Sequence, residues 1–283
     1  MLSALSAEAL KMRTHKATWS LVWMFPILFS VIFLIAVGIG LAGLEQPATQ
    51  SLPEWLEDTA LIWNIPGNSI GRYLIAAFVA VVFAGEYGWN TWKLIVPHRS
   101  RTSLIAAKYA LIVILFAISF LLTALISILG IWARDVAVGS PLPAGITASV
   151  LLELHGKQSL AAIAPVLVTI GYASLAALLT RSTIAALVIS IVVTTIEQVI
   201  FSFGPALALN FSPTLIWPLY HGLPGYHLAN LGNWIEQGAA LRVEFPTSGI
   251  VELPWATSLA VVAAWLVATV GAAFAVFRRQ DIN

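Results

Sequence analysis

The sequence predicts an all-α, polytopic membrane protein with six transmembrane helices. Hydrophobic residues make up 59% of the 283 positions and charged residues only 10%, whereas a soluble domain has roughly 45–50% and 25%. Long stretches with almost no Asp, Glu, Lys or Arg recur along the chain, and basic residues cluster in alternate segments between them. Too few charges remain to cover a soluble surface of this size.

The six predicted spans are windows near the roughly 20 residues that a helix needs to cross the bilayer core. Their bounds are 17–44, 70–85, 109–133, 158–180, 182–203 and 253–277. The second window is short, and we expect Arg72 near its start to extend its charge to the lipid–water interface. The whole chain, 1–283, is assigned to one transmembrane domain, because the segments between spans are too short to fold independently.

The region between the fifth and sixth spans is rich in Pro and Gly. Its apolar part, 211–223, is interrupted by Pro213 and Pro218, and proline in a helix interior kinks or breaks the helix. We therefore predict short re-entrant or interfacial helices here, on the outer side, rather than a seventh span.

The distribution of Lys and Arg sets the predicted orientation. With both termini in the cytoplasm, ten of the fourteen basic residues fall on the inner side and four on the outer side. The prediction is a multi-pass protein of the cell (inner, or cytoplasmic) membrane with both termini cytoplasmic.

Several function classes find little support in the residue types present. The chain has no cysteine, which excludes disulfides and thiol catalysis. It has no phosphate-binding loop of the Gly-x-x-x-x-Gly-Lys-Ser/Thr type. His221, His227 and Glu236 are of ligand type, but their spacing fits no known zinc site. We predict no metal site and no nucleic-acid partner.

The segment 85–108, GEYGWNTWKLIVPHRSRTSLIAAK, is an unusually polar connection between the second and third spans. On a helical projection, 86–96 is amphipathic. Glu86, Asn90 and Lys93 share one stripe. Trp89, Trp92 and Val96 share a second stripe, which we expect to face lipid headgroups. By charge alone, the segment could also be a simple positive-inside anchor.

The order of residues in this connection resembles the permease subunits of ATP-binding cassette (ABC) exporters of the type-2 class. The positions that carry the resemblance are Glu86, Thr91, Lys93, Pro97, Ser100, Arg101 and Lys108. Asn90 departs from the pattern, because glycine is commoner there. The resemblance implies a type-V exporter-like fold with an N-terminal interfacial helix before the first span, a cytoplasmic coupling helix at 86–96 and short outer re-entrant helices.

The resemblance also implies a division of labour between subunits. Two copies of a separate soluble ATPase would bind ATP and magnesium, and the permease would pair with a second copy or a homologue to form the translocation path. This chain would then be non-catalytic and carry no cofactor. Within the coupling helix, Tyr87 and Leu94 would be the protruding contacts. The implied ATPase-coupling residues are Glu86, Tyr87, Asn90, Thr91, Lys93, Leu94, Arg99, Arg101 and Lys108.

Glu197 lies deep in the fifth predicted span, followed by Gln198. An ionisable side chain at that depth is costly and often functional. Two roles stay open for this pair, the translocation path or a dimer seam. Three alternatives to a permease also stay open at this point, namely a secondary transporter, a membrane scaffold without transport activity, and an intramembrane enzyme.

The predicted topology can be tested by thiol labelling, since the native chain offers no cysteine. Cysteine placed at Ser100 should react only from the cytoplasmic side, and cysteine at Glu57 or Glu244 only from outside. Labelling of position 100 from outside would invert the topology.

Overall fold

The fold is a bundle of helices with one small β-hairpin. The structure, a computed structural model, describes residues 2–88, 92, 100–246 and 249–280. Six of its helices are long and apolar enough to cross a membrane, which confirms the predicted all-α polytopic class. These helices are α2 (Met24–Leu41), α4 (Ser69–Gly88), α5 (Arg101–Val138), α6 (Ala148–Thr180), α7 (Thr183–Asn210) and α10 (Trp255–Arg279).

Shorter elements lie before and between these helices. They are α1 (Leu2–Thr14), a π-helical turn (Thr18–Val22), α3 (Leu52–Thr59), a 3-10 helix (Leu61–Gly67), α8 (Pro213–Gly222), α9 (Pro224–Gln237), β1 (Val243–Phe245) and β2 (Gly249–Val251). The two strands pair antiparallel, with Glu244 opposite Ile250. Short helices were predicted around 211–223, whereas the hairpin and α3 were not.

Helix α3 has a local sequence signal that could have revealed it. Ser51 accepts a hydrogen bond from the backbone N–H of Glu54, whose carboxylate accepts one from the backbone N–H of Ser51. This reciprocal pair is a capping box. The same bonds hold the pKa of Glu54 below its ordinary value.

The helices run back and forth between two ends of the bundle. One end holds α1, the residues next to the 88–101 connection, the turn between α6 and α7, and the last turn of α10. We call this the terminal end. The other end, called the loop end, holds α3, the 3-10 helix, α8, α9 and the hairpin. Helix α5 has 38 residues, about 57 Å at 1.5 Å per residue, so it extends beyond a 30 Å hydrocarbon core.

Helices α4 and α6 form the centre of the bundle. Their most apolar windows are 61% and 72% buried within the protein, compared with 17% for α2 and α10. Around this centre, α2 packs on α5, α7 packs on α4 and α6, and α10 packs on α6. The peripheral helices expose many large aliphatic side chains, such as Leu34 and Val267, as expected for surfaces that face lipid.

Two glycines permit close helix approaches that a larger residue would obstruct. A Cβ at Gly130 of α5 would overlap the ring of Phe33 on α2, and one at Gly71 would overlap the backbone carbonyl of Ile65. The second contact holds the 3-10 helix against the start of α4. This contact therefore sets the position of the 3-10 helix relative to the first turn of α4.

Candidate functional site

A cluster of buried charges at the terminal end joins three helices. Lys108 on α5 is fully buried, and its Nζ lies 2.9 Å from Glu8 Oε2 on α1 and 2.6 Å from Glu86 Oε1 on α4. Lys11 on α1 also pairs with Glu86, at 2.5 Å. We call Glu8, Lys11, Glu86 and Lys108 the terminal cluster. A buried charge that loses its partner is strongly destabilising, so this cluster fixes α1 against the ends of α4 and α5.

Trp92 packs beside the terminal cluster rather than against lipid. Its ring is 1% exposed, lies 5.2 Å from Lys108 Nζ and stacks 4.5 Å from the ring of Phe277 on α10. The predicted lipid-facing position of Trp92 is therefore wrong. A lysine charge over the face of an indole is favourable, and this contact holds the ring inside the protein.

Arg101, the first residue of α5, binds the end of α10. Its Nη1 donates hydrogen bonds to the carbonyl oxygens of Phe277 at 3.0 Å and Arg278 at 3.1 Å. The last carbonyls of a helix have no partner within the helix, and a cation there also matches the helix dipole. Arg101 therefore caps α10 and ties it to the start of α5.

Tyr87 belongs to the last turn of α4, and its hydroxyl donates a hydrogen bond to the Oε1 of Gln280. Gln280 in turn donates to the carbonyl of Leu178 at 2.5 Å. The guanidinium of Arg181 lies 5.8 Å from the Tyr87 ring. The Tyr87 side chain is half-buried among these contacts, and its predicted contact with an ATPase stays a prediction.

Two further predicted coupling residues occupy positions that differ from expectation. Glu86 and Lys108 are completely buried, so they offer no surface for an ion pair with a partner chain. Glu86 and Tyr87 also lie within α4 rather than on a separate helix. Outside the described residues lie Asn90, Thr91, Lys93, Leu94 and Arg99, and their coupling role stays a prediction.

A second buried ion pair lies toward the loop end. Arg72 and Glu197 are each 1% exposed, and both Nη groups of Arg72 reach the Glu197 carboxylate, Nη2 at 3.4 Å from Oε2. The expected position of the Arg72 charge at the membrane interface is therefore wrong. Its Nε donates to Thr169 Oγ1 at 2.8 Å, and Tyr172 donates its hydroxyl proton to Glu197 Oε2 at 2.9 Å. We call these four residues the Arg72–Glu197 network.

The sequence carried a signal for this pair. Within the six predicted windows, Arg72 and Glu197 are the two charged residues. Charged side chains inside a membrane usually pair with one another, so they could have been matched. Thr169 and Tyr172 carry no comparable signal, because hydroxyl side chains are common in membrane helices.

A cleft of about 450 Å³ lies beside the Arg72–Glu197 network at the loop end. It is bounded by the 3-10 helix, α6, α7 and α9. Glu197 and Gln198 both line it, and Gln198 donates to the carbonyl of Gly67 at 2.9 Å. The Glu197 carboxylate is thus bound by partners within its own chain and also faces a cleft. The translocation path and the dimer seam both stay predictions for this pair.

The histidines of the loop end serve structural contacts. Both ring nitrogens of His227 have partners, Ser258 Oγ at 3.0 Å and the carbonyl of His221 at 2.8 Å. Burial lowers the pKa of His227, which favours the neutral ring. Over the residues that the structure describes, no group of three or more His, Asp or Glu side chains is close enough to hold a metal ion.

Six apolar helices with paired charges inside the bundle define a polytopic membrane protein. A family model described as "ABC-2 family transporter protein" matches residues 4–198, which is more than half of the 283-residue chain. The chain belongs to this family, which confirms the predicted resemblance. Searches of curated proteins and of solved structures gave no match.

Family membership defines the general role of the chain. It is a membrane-spanning permease subunit of an ABC transporter, a class of subunit that works with an ABC ATPase and is typically non-catalytic. The matched region runs from α1 to Gln198 in α7 and includes both buried charge clusters.

Removal of Arg72 should destabilise the protein strongly. We expect Arg72→Met to lower the free energy of unfolding by about 3–5 kcal/mol, because Glu197 is left as a buried, uncompensated charge. The double variant Arg72→Met/Glu197→Leu should recover most of this loss. The measurement is unfolding of the purified protein in detergent.

The matched control is Arg242→Met, which removes an exposed ion pair with Glu244 at 3.1 Å. Exposed pairs contribute about 0–1 kcal/mol, so this variant should behave like the native protein. Equal stability of Arg72→Met and Arg242→Met would contradict the structural role of the buried pair.

Proposed function

We propose that this chain is the permease of an ATP-driven exporter, coupled to separate ATPase subunits through the cytoplasmic segment at 86–96. Two permease copies, or this chain and a homologue, form the translocation path as a dimer. Two ATPase copies carry the ATP and magnesium. The transporter lies in the cell membrane with both termini cytoplasmic. The contacts at the two ends of the 88–101 connection are the observation that carries this proposal.

Those contacts fasten the connection to four helices. At its start, Glu86 is bound by Lys108 and Lys11. At its end, Arg101 holds the last carbonyls of α10. Trp92, inside the connection, packs on Phe277 of α10. A movement that a partner imposes on this connection would be transmitted to α1, α4, α5 and α10, because each attachment is buried or made to backbone.

The charge distribution supports the proposed orientation. The terminal end carries the basic residues that the positive-inside bias places in the cytoplasm. ATPase subunits and ATP are cytoplasmic, so a coupling segment has to lie at this end. The cleft beside Glu197 lies at the opposite end, where an exporter would release its cargo.

The family match and the geometry both argue against the alternatives considered from the sequence. An intramembrane enzyme would need an acid, base or nucleophile available to a substrate, and the Glu197 carboxylate is occupied by Arg72 and Tyr172. A secondary transporter or a scaffold would not need a partner ATPase, whereas the matched family is one of ABC transporters.

Site-directed crosslinking to the partner ATPase tests the proposal. Single cysteines are introduced at Leu94, Trp92 and Glu57 of a chain that has no native cysteine. Position 94 should crosslink to the ATPase. Position 92 should not, because Trp92 is buried, and position 57 lies at the loop end.

Co-purification of the ATPase shows in each case that the complex is intact. A crosslink at position 57 would place the ATPase at the wrong end of the bundle. A complex that forms without any crosslink at position 94 would reject the assigned contact.

A further inference from the structure

The cleft at the loop end is lined by small residues that leave room for a ligand. Ala161 and Ala162 come from α6, and Ala229 and Gly232 come from α9. A Cβ added at Gly232 would meet only the Cβ of Ala161, at 3.9 Å. The space between α6 and α9 is therefore open, in contrast to the tight glycine contacts elsewhere in the bundle. Aromatic and aliphatic side chains, including Trp63, Phe201 and Leu228, supply apolar walls.

Two side-chain acceptors without a partner in the described protein line this cleft, one buried and one exposed. The Oε1 atom of Gln158 is buried and has no hydrogen-bond partner within the described protein. Buried polar atoms are paired in the great majority of cases, so an exception in a cleft points to a ligand. Glu236, an exposed residue at the rim, also lines the cleft, and its carboxylate has no hydrogen-bond or ion-pair partner among the residues that the structure describes. Partial desolvation at the rim raises the pKa of Glu236.

The charge around the cleft favours a cation. The Glu197 carboxylate lines it, whereas Arg72, which neutralises Glu197, is not among the lining residues. Lys157 lines an adjoining depression that Gln158 and Glu236 also line. Its Nζ, however, is paired with Glu153 at 2.7 Å. The carboxylate of Glu236 therefore leaves the cleft with a negative charge.

We propose that this cleft binds an amphiphilic primary amine, with its ammonium group held by Gln158 and Glu236. The ammonium supplies N–H donors to both acceptors, and the apolar body packs on Trp63, Phe201 and Leu228. The assignment of this cleft as a cargo site on the outer side rests on the proposed exporter function. Binding of the amine itself requires no ATPase.

Other ligand classes fit this cleft less well. An anion would approach the Glu236 carboxylate and the acceptor atoms without finding a cation among the lining residues. A neutral alcohol supplies one donor and no charge, so it cannot compensate Glu236. An ammonium group supplies both, because it carries one positive charge and several N–H donors.

The test uses tritiated octylamine as the probe, with the purified chain in lipid nanodiscs and empty nanodiscs as background. The native chain should show one saturable site that excess octanol does not displace. Gln158→Leu and Glu236→Gln should each weaken binding at least tenfold. Gly232→Leu should abolish binding by filling the cleft, whereas Gly232→Ala should retain it.

The matched control is Glu244→Gln, which removes an exposed carboxylate on β1 away from the cleft. It should bind octylamine like the native chain. The proposal is overturned if Glu236→Gln binds like Glu244→Gln, or if octanol displaces the probe as well as unlabelled octylamine does. No ATPase is present, so a negative result leaves the crosslinking test of the exporter function unaffected.

Discussion

The structure depends on one constraint, which is that a charge buried in a membrane protein has to find its partner inside the protein. The interior contains no bulk water, and an isolated ion there is prohibitively costly. Arg72 and Glu197 are 125 residues apart in sequence, and Lys108 and Glu8 are 100 apart. Each pair therefore decides which distant helices become neighbours. Burial of apolar surface alone does not select a partner, because lipid is equally apolar, so the remaining selection comes from close packing such as that of Gly130 against α2.

The two clusters lie at opposite ends of the bundle, each beside one of the two proposed sites. The terminal cluster joins α1, α4 and α5 beside the segment proposed to receive the ATPase. The Arg72–Glu197 network joins α4, α6 and α7 beside the cleft proposed to receive cargo. Helix α4 carries Arg72 near its first turn and Glu86 near its last. This central helix therefore connects the two proposed sites within one continuous element.

Composition and charge patterning were sufficient to predict the six spans, because hydrocarbon imposes length and apolarity on each helix independently. The contacts between side chains on different helices were harder to predict, since they depend on the rotation of each helix about its axis. Glu86 shows the difference, because a helical projection placed it on a surface stripe while Lys108 and Lys11 hold it in the interior. Trp92 was misplaced for the same reason. The projection carried no information about Phe277, which lies far away in sequence and covers the Trp92 ring.

The proposal that the terminal cluster couples the ATPase to the spans can be tested in the assembled transporter. The variant is Lys108→Met, and the matched control is Lys157→Met, which removes an exposed lysine at the loop end. The readout is ATP hydrolysis by the ATPase with and without the permease, in complexes that are monodisperse. The account predicts that the ATPase still binds to the Lys108→Met permease but no longer changes its hydrolysis rate in response. A Lys108→Met permease that modulates hydrolysis as fully as the Lys157→Met permease does would contradict it.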